Sequence, residues 1–266
     1  MKSPKETALD RKILKEINGK CRRTVEYMIN DPEIKHLQDY ANTVSIKRLH
    51  YNDHGPVHMR MVALNAVHMA VLLREKGIAF SLENEGCGSF DDSLTAILIA
   101  AFLHDIGMSI GRHDHEKNSV VLAAPIIDRI LRHIYGNNIE RIIILRSLAL
   151  ECISGHMGTQ KIHSLEAGLL LIADGLDMEK GRARIPMMID SGAQVGDIHK
   201  YSAAAIEMVT IEEGRQKPLK IIVEMSESIG LFQIEEVLFA KINSSPMKQY
   251  IELYATIADQ KPKRYL

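Results

Sequence analysis

Cysteine is scarce in this chain: Cys21, Cys87 and Cys152 are the only three among 266 residues. Odd in number and far apart, they exclude a disulfide framework and a thiolate zinc site, and they suit a reducing cytoplasm. An excess of charge is also missing. With 33 basic and 34 acidic residues the formal net charge is −1, which leaves no global field for gripping extended nucleic acid or an anionic membrane. Any phosphate recognition must therefore be local. No apolar run approaches the roughly 20 residues of a membrane span, and Met1-Lys2-Ser3-Pro4-Lys5-Glu6 leads into a charged helical pattern instead of an apolar signal core. The expectation is a soluble cytoplasmic protein with no membrane partner. No internal repeat or low-complexity segment breaks the chain.

What is present is ample material for a core, 46% hydrophobic residues, enough for one large domain or two moderate ones. Apolar residues recur at helical spacing through most of the first two-thirds. Residues 7–30 read as one amphipathic helix, with Leu9, Ile13, Ile17, Val25 and Met28 on the apolar side and Gly19 as its weak point. Asp31-Pro32 ends that helix or starts the next. A helix is expected from Pro56 to Leu73, with His58 in its first turn and a stop near Gly77. Residues 81–90 read as a loop, after which Asp91-Asp92-Ser93 caps the run Ala96-Ile97-Leu98-Ile99-Ala100-Ala101-Phe102-Leu103, and Gly107 stops it. Further helices fit 116–135, 138–154 and 164–177. Beyond Ile185-Pro186 the period changes to two. Residues 205–211 and 219–225 read as a hairpin, followed by a helix over 233–242 and a third strand over 248–257. The fold class expected is mainly α, with an all-helical domain over 1–188 and a small α+β domain over 189–266.

The chemistry gathers at His104-Asp105, which follows the apolar run directly. An imidazole and a carboxylate side by side can share a divalent metal, and hydrolytic metals take such ligands from several elements while leaving a position for water. His58 and Asp174 also sit among apolar residues, where an unpartnered polar group is costly. His54, one helical turn from His58, is an alternative to it. The order His58, His104-Asp105, Asp174, in the contexts His58-Met59-Arg60-Met61-Val62, Leu103-His104-Asp105-Ile106-Gly107 and Ala173-Asp174-Gly175-Leu176-Asp177, resembles the HD-domain metal-dependent phosphohydrolases over roughly residues 50–185.

That resemblance implies a helical HD domain in which His58, His104, Asp105 and Asp174 ligate a first metal, and it favours His58 over His54. It also implies that Asp105 bridges to a second ion where one exists. His115 and His156 are the best candidates for further ligands, against the plainer readings of a loop histidine and a helix-cap partner. The chain lacks the Gly-Tyr-Pro signature of the branch that cleaves cyclic-di-GMP, and Gly181-Arg182-Ala183-Arg184-Ile185-Pro186 resembles a prokaryotic subgroup without an assigned substrate. The cofactor expected is one or two divalent ions, with Mn, Mg, Fe, Ni, Co and Zn not distinguished. His104 and Asp105 are the catalytic candidates, Asp105 orienting the water or accepting its proton. Arg112, Lys180, Arg182 and Arg184 are candidates for the substrate phosphate, since arginine grips two oxygens at once.

The function expected is metal-dependent hydrolysis of a phosphomonoester or phosphodiester bond in a small phosphorylated substrate, a nucleotide, by a metal-activated water. The alternative is a non-catalytic sensor that binds metal and nucleotide, and a weaker one is a metal oxygenase. No motif in the C-terminal part carries chemistry, and its edge strands make a homodimer plausible.

Overall fold

Phe90–Leu103 is the axis of the fold, and in this helix every residue except Asp91 is buried. A helix apolar on all sides must be enclosed by others. The structure, a computed structural model, describes residues 2–179, 198–258 and 260–266. In chain order its first helices are α1 (Pro4–Glu16), α2 (Gly19–Asn30), α3 (Pro32–Thr43), α4 (Pro56–Glu75), the single turn α5 (Ser81–Asn84) and α6 (Phe90–Leu103). A 3-10 turn over Ile106–Ser109 leads to α7 (His115–Tyr135), α8 (Ile139–Gly155) and α9 (Leu165–Gly175). Helices α2, α4, α8 and α9 pack around α6. By length and mean hydropathy, Pro56–Glu75 and Phe90–Ser109 would pass as membrane spans, contrary to the reading that no run is long enough. Both are sheathed by protein, 67% and 94% buried, so burial in the core accounts for their composition.

After a helix over Ile198–Ala204 come β1 (Ile206–Glu213) and β2 (Leu219–Met225), an antiparallel hairpin. The chain then crosses through a π-helical segment, Gln233–Leu238, and a short helix, Phe239–Asn243, before β3 (Ile251–Ile257) returns parallel to β2. A short β4 (Lys263–Arg264) closes the order β1-β2-β3-β4. Ile206, Leu219, Ile221, Val223, Ile251 and Leu253 are buried in one continuous core with the helices. The domain boundary expected at 188/189 lies outside the described residues.

Several expected boundaries shift, each for a local reason. The helix expected over 7–30 is two helices, because the backbone turns extended at Ile17 and Gly19 takes a φ of +57°, which a glycine adopts freely. Asp31 begins α3, accepting the N–H groups of Glu33 and Ile34. Part of the expected loop over 81–90 is the turn α5. Helix α6 is capped by Ser89 and not by Asp91-Asp92-Ser93: Ser89 Oγ accepts Asp92 N–H, and the Asp92 carboxylate accepts from Ser89 in return. Gly107 does not stop the helix through a left-handed backbone. A Cβ there would lie 2.1 Å from the carbonyl of His115 and 2.5 Å from the nitrogen of Ser119, so its smallness lets the turn after the His-Asp pair press onto the start of α7.

Candidate metal centre

Three helices end at one place. His104 is the C-cap of α6, His156 is the C-cap of α8, and Asp174 sits in the last turn of α9. Helix C-termini carry partial negative charge and favour a cation nearby. Two more helices begin there, with His58 in the first turn of α4 and His115 as the first residue of α7. Asp105 stands among them. Buried below is a polar network that fixes the two ends facing each other: Arg60 donates to Asp10 at 2.6 Å, to Pro56 O at 3.0 Å and to Gln38 at 3.2 Å, and Gln38 donates to Phe102 O at 2.8 Å.

The side chains form two groups that share Asp105. In the first, His58 Nε2 lies 3.2 Å from His104 Nε2, 3.2 Å from Asp105 Oδ2 and 3.2 Å from Asp174 Oδ1. His104 Nε2 is 3.4 Å from Asp105 Oδ2 and 3.7 Å from Asp174 Oδ1. In the second, His115 Nε2 and His156 Nε2 are 3.1 Å apart, at 3.2 and 3.4 Å from Asp105 Oδ1. Atoms bound at about 2.1 Å to one tetrahedral or octahedral ion are separated by roughly 3.0–3.5 Å, so His58, His104 and Asp105, and likewise Asp105, His115 and His156, could hold a metal ion.

The tautomers support the same conclusion. Nδ1 of His104, His156 and His115 lies 3.0, 2.6 and 3.1 Å from the carbonyls of Ala101, Ile153 and Arg112, and Nδ1 of His58 lies 2.6 Å from Asp177 Oδ2. Carbonyls and carboxylates accept, so each Nδ1 carries a proton, and each ring, where neutral, presents its Nε2 lone pair to the site. Lone pairs facing one another and two carboxylates call for positive charge between them, which a metal ion can supply. Oxygen and imidazole ligands without thiolate suit a divalent ion of intermediate hardness.

Charge in the protein alone is arranged accordingly. Burial pushes the Asp105 carboxyl upward, but His104, His54 and His115 hold it well below the usual range. Burial acts likewise on Asp174, and Lys241 with His104 and His58 overcomes it. For His104 burial lowers the pKa, yet Asp105 and Asp174 outweigh it and raise it, whereas burial prevails at His156 and lowers it.

A cavity of about 380 Å³ opens over both groups, lined by Asp105, His115, His156, Asp174, Arg112 and Lys241 among others. Arg112 stands within 3.4 Å of the His115 ring and over the Tyr51 ring at 5.7 Å. Lys180, Arg182 and Arg184 lie outside the described residues. His54 lines the cavity with its ring centroid 5.9 Å from that of His58, and it belongs to neither group. Its Nδ1 is engaged by Asn52 O and Ser45 Oγ at 2.7 and 2.9 Å.

Two residues escaped the sequence reading. Asp177 orients His58, and its position three residues after Asp174 at the same helix end was the available signal. Lys241 pairs with Asp174 Oδ2 and donates to His156 O at 2.9 Å. Nothing local marked it, because it comes from the C-terminal segment that shows no motif.

The family model of the HD domain matches residues 57–179, which span His58 through Asp177. An uncharacterized protein of Methanocaldococcus jannaschii is 38% identical over 254 residues, 96% of each chain. No solved structure matches. With its His58, His104-Asp105 and Asp174 in the matched span and converging on one point, this chain belongs to the HD-domain family.

Proposed function

We infer that this protein hydrolyses a phosphoester, in a small phosphorylated substrate such as a nucleotide, at a site where His58, His104, Asp105 and Asp174 would hold one divalent ion and Asp105, His115 and His156 a second. The observation that carries the reading is the division of Asp105, one oxygen among the Nε2 atoms of His58 and His104 and the other between those of His115 and His156. Divalent ions bound there would supply Lewis-acid polarisation of a phosphoryl oxygen and draw the pKa of water toward neutrality.

The chain's own part is positioning. His58, His104 and Asp174 are assigned to the first ion and His115 and His156 to the second, with Asp177 and three backbone carbonyls holding the imidazoles in the ligating tautomer. Asp105, kept ionised, would hold both ions and so orient the attacking water, whose proton passes to the leaving oxygen. As the new P–O bond forms on one side of phosphorus, the ester P–O bond breaks on the other, and the leaving oxygen departs protonated as an alcohol. Arg112 lines the same cavity as Lys241 and would face the phosphate there. The setting expected is the cytoplasm, in keeping with free thiols at Cys21, Cys87 and Cys152. Among the described residues β1 ends the strand order, and its outer side is where a second copy would extend the sheet.

Purified protein supplied with Mn²⁺ or Mg²⁺ and a panel of nucleotides and generic phosphodiesters tests the reading. Turnover of at least one ester is expected, abolished by Asp105→Ala. Binding without product would favour a sensor, and undiminished turnover by the variant would exclude Asp105 from the chemistry.

A further inference from the structure

The crossover between β2 and β3 contributes to the walls of the site. Gln233–Leu238 is π-helical and continues into Phe239–Asn243, and from these turns Glu236, Val237, Ala240 and Lys241 line the cavity. π-Helical turns are rare and recur at functional positions. Glu236 is exposed, whereas the Lys241 side chain is only 11% exposed. Its ammonium pairs with Asp174 Oδ2, the oxygen turned away from His58 and His104, and donates to the carbonyl of His156 at 2.9 Å. Lys241 thus does not occupy the position of an ion. It stands beside both ligand groups, anchored to a residue of each.

An ammonium has three N–H donors. Two are spent on Asp174 and His156, and the residue borders the same cavity as Arg112. A lysine held in a partly dry site as a fixed point charge suits a phosphoryl oxygen. We propose that Lys241, delivered by the C-terminal crossover, is a substrate-binding residue that receives the phosphoryl group beside the metal centre. The proposal rests on the phosphohydrolase reading for its ligand class. It makes the C-terminal segment part of the active site and not an appended module.

The test uses the full chain loaded with Mn²⁺, inorganic phosphate as the probe, and calorimetric titration of both. Lys241→Met retains most of the stem, and Lys241→Arg retains the charge. Expected are phosphate binding by the wild type, a loss of roughly tenfold or more in phosphate affinity for Lys241→Met, unchanged Mn²⁺ stoichiometry, and substantial recovery in Lys241→Arg. Phosphate affinity within about twofold of wild type in Lys241→Met would overturn the proposal. So would a parallel loss of manganese, which would make Lys241 a support for Asp174 alone, or a wild type that binds no phosphate. Phosphate binding needs no turnover, so a protein that binds phosphate through Lys241 yet cleaves no ester contradicts the hydrolase reading while upholding this one.

Discussion

His58 illustrates how a side chain can be set to ligate through its second nitrogen. Its Nδ1–H is held by Asp177 at 2.6 Å, so Nε2 is left to face His104, Asp105 and Asp174. Without that carboxylate the ring could turn or exchange tautomers, and partners of this kind are worth roughly 10–100-fold in metal affinity. Asp177→Ala is therefore expected to weaken metal binding by about that factor while leaving the melting temperature of the metal-free protein near wild type, as read by metal titration and thermal denaturation. An unchanged affinity would mean that packing alone orients His58. Of the residues that meet here, His58, the His104-Asp105 pair and Asp174 stood out in the sequence because polar groups among apolar neighbours need partners. His115 and His156 were weaker signals, since a histidine at a helix end has innocent uses. Asp177 and Lys241 act through tertiary geometry, which no local pattern records.

At the scale of elements, the site depends on where helices begin and end, and those are the features that sequence reading places least well. The apolar run of α6 was plain, but its cap was displaced to Ser89 because Asp92 serves as the third helical residue of a capping box. The expected helix over 7–30 hid a break, since both of its halves bury apolar residues and only the backbone from Ile17 to Gly19 separates them. Asp31 shows what a cap contributes. Burial pushes its carboxyl upward, but Arg129 and the N–H groups of Ile34 and Glu33 outweigh burial and hold the pKa below 3.8. A depressed pKa in the folded state means stability present above the ordinary value and lost as pH falls through the folded one. Asp31→Asn keeps a capping oxygen and removes the charge. It is expected to cost on the order of 1 kcal/mol at neutral pH, with the Arg129 share discounted for that side chain's exposure. It should also flatten the fall in melting temperature at acid pH, and a variant with the same acid limb as wild type would place the acid sensitivity elsewhere.

For the whole molecule, the sheet and the helical bundle share one core, and the parallel β2–β3 pairing explains how. A parallel partner requires a crossover, and here the crossover lies against α9, with Ser245, Pro246 and Met247 close enough to Gly168 that a Cβ there would come within 2.6 Å of Ser245 Oγ. The hairpin was legible from the alternation of its two strands, and a third strand was expected over 248–257. Their order and β4 were not, because strand order is set by what the crossover packs against. A chain ending at residue 188 would expose the side of α9 that this segment covers and would lack Lys241. It is expected to aggregate or to melt far below the full chain, and a soluble, cooperatively folding fragment would show that the bundle stands alone. The central claim is that Asp105 joins two ion sites. Titration of divalent metal into the metal-stripped protein, confirmed by elemental analysis, tests it most directly. Two ions per wild-type chain, with Asp105→Ala weakening both, is the result predicted, and a wild type that takes up one divalent ion or none, or an Asp105→Ala variant that binds both as tightly, would contradict it.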